Sequence, residues 1–171
     1  ANGFLDPNGG GDGSQLAGWC MSNGEGHGTH FAGEAYQRIE LSENGLNCRI
    51  VPASDPVGEG TYSAAEFMPA LIRDGEKLEN QDWTGEQPRA CFGAGDQGIY
   101  MLVIEGRYPD EGIRGTSVNT CADILLAYGC RNAINMDGGS SAILWYDGEY
   151  VTQSSSSPLR YTGGRPLPNA W

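Results

Sequence analysis

The chain has 171 residues and a formal net charge of −12, from 22 acidic and 10 basic side chains. Apolar residues make up 39% of it, which suits one globular domain. The excess of negative charge argues against nucleic acid and anionic membrane surfaces as partners, because both are bound by clustered cations. With 27 glycines, the composition favours short strands and tight turns over long helices.

The first third of the chain carries turn and strand signals. The glycine-rich segment 6–13 has oxygen-bearing side chains that could hold calcium, although its spacing is not that of an EF-hand and a plain turn cluster is favoured. An Asn-Gly turn at 43–45 separates two alternating runs, 35–41 and 46–51. This pattern predicts a β-hairpin.

The middle of the chain is predicted to contain a short helix, a loop and a strand. The helix covers 63–72, begins at a serine cap and is kinked or shortened by Pro69. Residues 79–87 read as a polar surface loop. The apolar run 99–104 is typical of a strand covered on both faces. It is the longest apolar run in the chain and is too short to span a membrane.

The last third is predicted to contain a helix, a strand and a hairpin. The range 116–128 begins with hydroxyl caps and ends at Gly129, as a helix does. A short strand follows at 133–136, and the final hairpin joins 142–146 to 149–152. The buried face of the helix is predicted to consist of Cys121, Ile124, Leu125 and Tyr128.

A strand, a helix and a second strand follow one another over 98–137. A crossover of this length predicts two parallel strands in a mixed sheet, and hence an α/β or α+β fold with few helices and glycine-rich loops. Glu105 and Asp137 each come directly after one of these strands, so both are predicted to lie at the ligand-binding edge. Two carboxylates about 5 to 10 Å apart are what glycoside cleavage needs. The alternative is that each acid only caps a turn.

The turn that follows Asp137 combines glycines with hydroxyl groups. Residues 138–141, Gly-Gly-Ser-Ser, present consecutive amide hydrogens, and such nests bind anions, above all phosphate oxygens. Nine of the ten basic residues are arginines, whose planar guanidinium suits phosphate. A local arginine cluster could serve one anionic group, although pairing with surface acids is the simpler role for any single arginine.

The cysteines and histidines give weaker indications. The five cysteines lack a C-x-x-C pair, so no zinc site is indicated. Two disulfides and a spare thiol would fit an exported protein, whereas five buried thiols would fit a cytosolic one. Scarce lysine, abundant glycine and the polar run 152–157 favour a secreted or extracellular protein. His27 and His30 could form a base or metal pair, but structural roles are favoured.

The run 133–141, Ala-Ile-Asn-Met-Asp-Gly-Gly-Ser-Ser, resembles the signature of the phosphodiester glycosidase family. Further elements of the same family pattern occur in the right order across nearly the whole chain, which is therefore expected to form one domain over 1–171. These elements are Asn2-Gly3-Phe4, Pro88-Arg89-Ala90, Glu105-Gly106-Arg107 and the closing segment Arg165-Pro166-Leu167-Pro168-Asn169-Ala170.

The resemblance implies a hydrolase that cleaves the glycosidic bond of a sugar-1-phosphodiester on a mixed sheet. No cofactor is implied, calcium in the N-terminal segment aside. By position, Asp137 is expected to be the principal catalytic carboxylate, Glu105 its partner and Arg107 a third catalytic group. The residues expected to bind the sugar and the phosphate are Asn2, Arg89, Gly138, Gly139, Ser141 and Arg165.

Two features depart from the family pattern. Glu105 stands where the family usually has an aspartate, and its extra methylene moves the carboxylate by about an ångström. Family domains also have strands before the asparagine-glycine element, which only Ala1 precedes here. An open sheet invites strand addition, so a homo-oligomer or strand exchange with a neighbouring chain is expected. The alternative function is a non-catalytic structural or glycan-binding homologue, such as a surface-fibre or self-assembling subunit.

Overall fold

The computed structural model describes residues 16–80 and 82–171, and within them the strands form two five-stranded sheets and a small hairpin. The first sheet contains β1 (Trp19–Ser22), β2 (Glu25–Gly28), β3 (Gln37–Leu41), β4 (Cys48–Pro52) and β5 (Ser63–Phe67). The second contains β6 (Ala70–Arg73), β7 (Glu76–Lys77), β8 (Arg89–Gly95), β9 (Gly98–Ile104) and β10 (Cys130–Asn135). The helix α1 (Val118–Ala127) precedes β10, and the hairpin consists of β11 (Trp145–Tyr146) and β12 (Glu149–Tyr150).

The two sheets enclose the main hydrophobic core. The strand order is β2-β1-β5-β3-β4 in the first sheet and β7-β6-β10-β8-β9 in the second. Side chains from one face of each sheet meet in a single buried cluster, as in other sheet packings. The first sheet contributes Ile39, Leu41, Ala65 and Phe67 to this cluster, and the second contributes Phe92, Ile134 and Met136.

The helix α1 covers the outer face of the second sheet. Ser117 caps its N-terminus, as predicted, because the serine hydroxyl accepts a hydrogen bond from the Thr120 amide at 3.1 Å. Gly129 follows its end with a φ of +87°, a conformation that favours glycine. Cys121 and Leu125 are buried against the sheet, together with Val118 and Ala122. Tyr128, predicted to be buried, is 72% exposed because the helix has already ended.

The α+β class is confirmed, with one difference in how the strands are arranged. The unit β9–α1–β10 is present, and its two strands run parallel because both pair antiparallel with β8. They are not neighbours, since β8 lies between them. Every strand pairing among the described residues is antiparallel. Small residues dominate β8, so this part of the sequence has no apolar run from which a strand could be predicted.

The other predicted elements can be compared one by one. The hairpin of β3 and β4 is confirmed, and so are the strand β10 and the hairpin of β11 and β12, which is shorter than predicted. The helix predicted over 63–72 is wrong, because Pro69 separates the two strands β5 and β6 there. Pairing of β5 with β1 and β3 outweighs the helical preference of its alanines. No disulfide joins any of the five cysteines, all of which lie in the described ranges.

The strand β9 lies at an edge of the second sheet. It pairs with β8 on one side, and Ile99 and Met101 are each 50% exposed. Long edge strands of this kind can pair with a strand of another chain. Self-association therefore stays a prediction, and β9 is the edge through which it could occur. Asn2 and the calcium candidate 6–13 lie outside the described residues. Within the described ranges no helix is long and apolar enough to cross a bilayer.

Candidate active site

Three strand termini meet at one edge of the second sheet. β8 begins at Arg89, which pairs with Ile104 at the end of β9. β10 ends at Asn135, which pairs with Cys91 near the start of β8. Because β8 runs against its two neighbours, the chain before β8 and the turns after β9 and β10 lie side by side. The predicted shared edge is therefore present, although the strands that form it are not adjacent.

Three glycines allow these segments to pack around Pro88. A Cβ atom on Gly138 would lie 2.5 Å from the Pro88 carbonyl oxygen, and one on Gly106 would lie 2.9 Å from the Pro88 nitrogen. Gly115, with a φ of +98°, packs in the same way against the backbone of Gln87. Gly106 and Gly138 directly follow Glu105 and Asp137, the two acids predicted at this edge. In the structure the first role of these glycines is close backbone packing.

The packed turns form the floor of an open cleft of about 450 Å³. This volume is in the usual range for small-molecule sites, about 300–1,000 Å³. The cleft collects most of the residues that the sequence singled out. Its lining consists of Trp83, Gln87, Pro88, Arg89, Arg107, Asp137, Gly138, Gly139, Ser140, Ser141 and Arg165.

Asp137 is held at the cleft by two side chains that approach the same oxygen. Its Oδ2 accepts hydrogen bonds from the Ser141 hydroxyl at 2.6 Å and from Arg165 Nη2 at 2.9 Å. Arg165 Nε also donates to the Ser141 hydroxyl at 3.0 Å, which closes a three-residue network. Burial raises the pKa of Asp137, and the bonds from Ser141, Arg165 and the Gly138 amide offset only part of this rise. The carboxylate is therefore more basic than an ordinary aspartate.

Arg107 lies above the Gly-Gly-Ser-Ser turn with its guanidinium exposed. Its Nε and Nη2 donate to Gln87 Oε1 at 3.1 and 3.0 Å. A Cβ on Gly139 would lie 3.1 Å from the guanidinium nitrogens, so glycine is needed for this approach. The φ of Arg107 is +70°, a left-handed conformation that an arginine rarely adopts and that costs about 1 kcal/mol or more. The backbone thus accepts strain at a position where it directs a cation toward the cleft.

Arg89 belongs to the wall of the cleft. It is buried, and its guanidinium donates to the carbonyls of Thr116 at 3.1 Å and Gly85 at 2.9 Å. The same group lies 5.8 Å from the ring centre of Trp83. Burial lowers the pKa of Arg89. Arg89 therefore bonds the backbone on both sides of this wall, and its expected part in binding the phosphate stays a prediction.

Glu105 is not brought into the cleft lining with Asp137. Its Oε1 accepts a hydrogen bond from the Gln153 amide at 2.6 Å, which ties the end of β9 to the C-terminal segment. Asp137 is consequently the only carboxylate among the described residues that line the cleft. The sequence placed both acids at one edge, and the edge is shared. It did not determine the direction of the longer glutamate side chain.

The backbone amides of the turn 138–141 were predicted to bind an anion, but most of them bond the protein itself. The Gly139 amide donates to the Pro88 carbonyl at 3.1 Å, and the Ser141 amide donates to the Gly138 carbonyl at 3.0 Å. The Gly138 amide bonds the Asp137 carboxylate. Since three of these amides already have protein partners, the turn is not an open anion nest. The exposed cation above it, Arg107, is the better anion ligand.

Among the side chains of the cleft, Gln87 was missed by the sequence interpretation. Gln87 orients Arg107, and Trp83 contacts Arg89, but both stand in the stretch predicted as a polar surface loop. The position of Gln87 directly before Pro88 and Arg89 was the available signal. His30 lies elsewhere and pairs with Glu66, which agrees with a structural role.

Comparison with solved structures supports the fold. The catalytic domain of zebrafish N-acetylglucosamine-1-phosphodiester alpha-N-acetylglucosaminidase, auto-inhibited by its pro-peptide, matches with a TM-score of 0.68 and 17% identity, covering 97% of this chain. The present chain spans 59% of the length of that structure. A hypothetical protein from Synechocystis matches with a TM-score of 0.46 and 19% identity, covering 78% of this chain and 33% of its own. No curated protein gives a significant match.

The sequence itself provides the wider comparison. The profile of the phosphodiester glycosidase family matches residues 2–171, and so spans the cleft, both sheets and the segment before them. The match includes the turn after β10, where Asp137 is held. The chain belongs to the phosphodiester glycosidase family.

Proposed function

We propose that the protein hydrolyses the bond between the anomeric carbon of a sugar and a phosphodiester. Its family supports a glycosidase of this kind. The single observation that carries the proposal is the environment of Asp137, a carboxylate of raised pKa in an open cleft beside Arg107 and Arg165. A basic carboxylate and neighbouring guanidinium groups are what cleavage next to a phosphate requires.

Asp137 acts as the general base in this proposal. Both side-chain hydrogen bonds to its carboxylate end on Oδ2 and leave Oδ1 without a side-chain donor among the described residues, and in this proposal Oδ1 takes a proton from the attacking water. The water oxygen bonds to the anomeric carbon as the bond from that carbon to the phosphate oxygen breaks. Ser141 and Arg165 hold the carboxylate in one orientation throughout, which lowers the entropic cost of the step.

The leaving group removes the need for a second carboxylate. A phosphate oxygen leaves as a stabilised anion, so it requires charge neutralisation more than protonation. Arg107 supplies this through an exposed guanidinium that Gln87 orients from one side. An oriented donor of this kind contributes roughly 2–4 kcal/mol to the transition state. The position of Glu105 outside the cleft is therefore compatible with turnover.

The test is release of free sugar from a sugar-1-phosphodiester by the purified protein. Asp137→Asn is expected to lower kcat on the order of 10³-fold, because the base is lost while the shape is kept. Asp147→Asn is the matched control, since Asp147 is exposed in the turn between β11 and β12 and lies outside the cleft. Equal rates for wild type and Asp137→Asn would exclude this mechanism.

A second candidate function is a non-catalytic, glycan-binding or self-assembling homologue. The hydrogen bond that Glu105 accepts from the Gln153 amide favours it, as does the exposed edge of β9. Calorimetric titration with the same phosphodiester distinguishes the two functions, because a binding protein gives heat of binding without released sugar. Light scattering of the same sample measures whether copies associate through β9.

The proposed site of action is outside the cytosol. This rests on composition, since Lys77 is the single lysine among ten basic residues and the chain is strongly acidic. Fractionation of the producing cell, with detection of the native protein in the exported fraction, tests it.

A further inference from the structure

A second hydrophobic cluster lies between α1 and the second sheet, and it contains three of the five cysteines. Cys91, Cys121 and Cys130 are all buried there. Along β8, Ala90 and Phe92 point toward the first sheet, so Cys91 points toward the helix. The cleft chemistry described above uses none of these thiols.

Two of the three thiols lie against each other. Cys91 on β8 and Cys121 on α1 belong to the same buried cluster, where α1 packs on β8, and each thiol perturbs the pKa of the other. The Cys130 sulfur is instead directed at the carbonyls of Ala94 at 3.5 Å and Asn132 at 3.3 Å. The pairing of Cys91 with Cys121 is therefore selected by the packing of the helix on the strand.

We propose that Cys91 and Cys121 form a disulfide bond when the chain folds in the presence of a disulfide donor such as oxidised glutathione. One thiolate attacks the donor and releases one reduced thiol, which leaves a mixed disulfide on the protein. The second cysteine displaces the remaining donor thiol. The protein loses two hydrogens, and the donor is reduced to two thiols. Because both sulfurs are buried in the folded state, exchange takes place before α1 is fully packed.

The bond would fix the wall of the cleft. β8 begins with Arg89, whose Nε donates to the carbonyl of Thr116, just before the helix cap. Hydrogen bonds and packing alone hold strand and helix together in the reduced protein. A covalent link from Cys91 to Cys121 would secure the same two elements and close a loop of about 30 residues.

Peptide mapping without reductant tests the pairing directly. Trypsin places Cys91 in the peptide 90–107 and Cys121 with Cys130 in the peptide 115–131. A second protease that cuts before Asp123 then separates Cys121 from Cys130. After refolding with oxidised glutathione, the expected product joins the Cys91 peptide to the Cys121 peptide. Free thiols at both positions, or a link from Cys91 to Cys130, would overturn the proposal.

Thermal unfolding supplies the second measurement. Closure of a loop of this length is expected to raise Tm by roughly 10 °C, and a phosphine reductant should remove the increase. Cys121→Ala should unfold at the same temperature with and without reductant. Cys20→Ala, on β1 in the other sheet, should keep the full difference. A wild-type Tm that does not respond to reductant after oxidative refolding contradicts the proposal without reliance on either variant.

Discussion

The molecule holds enclosed carboxylates in two regions, fully buried in the first sheet and partly buried in the cleft, and their surroundings differ. In the first sheet, Glu40 accepts hydrogen bonds from Arg38 at 2.7 Å, Arg49 at 2.7 Å, Thr61 at 3.0 Å and the Gly58 amide at 3.2 Å. Burial alone would raise its pKa, but the bonds from the two arginines and Thr61 together outweigh burial and lower it. This carboxylate is charged and has its hydrogen-bonding capacity filled.

Asp137, in the turn after β10, has fewer donors, and its side chain is 21% exposed against 2% for Glu40. Two side chains, Ser141 and Arg165, bond one of its oxygens, and burial still prevails, so its pKa is raised. The difference teaches that burial alone does not fix the direction of a carboxylate's pKa shift. What fixes it is whether the protein supplies enough donors to compensate for burial.

The largest expected effect comes from breaking the filled network. Arg38 donates to Glu40 and to the carbonyls of Ala53 and Asp55, and it lies 3.6 Å from Glu66. Arg38→Met would remove the fully buried cation that contacts two buried carboxylates, Glu40 and Glu66, and we expect it to lower the free energy of unfolding by about 3–5 kcal/mol. Urea denaturation measures this loss.

The control for that variant is the other arginine on the same carboxylate. Arg49 bonds Glu40, but its side chain is 51% exposed. Arg49→Met should therefore cost only about 0–1 kcal/mol. Equal losses for the two variants would mean that burial of the cation does not set its contribution.

A smaller effect is expected in the cleft, and on activity rather than stability. Arg107→Lys keeps the positive charge but removes the planar pair of donors that Gln87 orients. We expect kcat/KM for a sugar-1-phosphodiester to fall about 10²-fold, with little change in Tm. Arg114→Lys, an exposed arginine outside the cleft lining, should retain the wild-type value. If both variants match wild type, Arg107 does not bind the phosphate.

The smallest effect concerns the pH dependence of stability. The folded pKa of Asp137 lies above its ordinary value of 3.8, so below that value both states are protonated and the group contributes nothing. As pH rises toward the folded pKa, the unfolded chain releases the proton first and wild type loses stability. The side chain of Asp137→Asn cannot titrate. Its free energy of unfolding, relative to that of wild type, should therefore increase from pH 3 to pH 7.

The direction of this change is what matters. If the variant instead loses stability relative to wild type as pH rises, the hydrogen bonds from Ser141 and Arg165 lower the pKa of Asp137 by more than burial raises it. The donors of Glu40 act on its pKa in that way. Asp147→Asn, in the exposed turn, should follow wild type at every pH.

Local signals in the sequence were sufficient for several elements. The Asn-Gly turn identified the hairpin of β3 and β4, and Ser117 with Gly129 marked the ends of α1. Gly45 and Gly129 adopt positive φ angles that few other residues favour, and Ser117 supplies a side-chain acceptor for the Thr120 amide. The strand before Asp137 also ends close to its predicted end, since Asp137 and Gly138 follow within three residues.

Long-range features could not be predicted from local patterns. The position of β8 between β9 and β10 depends on pairing partners, and its small residues resemble a loop. β5 is alanine-rich and reads as helical, but it is a central strand. The direction of the Glu105 side chain depends on Gln153, which is 48 residues further along the chain. Each of these was decided by a contact between distant segments.

The glycines packed around Pro88 limit how this site can change. A side chain at any of them would displace the backbone that carries Arg89 and reshape the whole cleft. A change in what the proposed site binds must therefore proceed through side chains that line the cleft without holding its arginines or packing in the core, such as Ser140. A mutational library at that position would vary the ligand preference while the backbone beneath it stays intact.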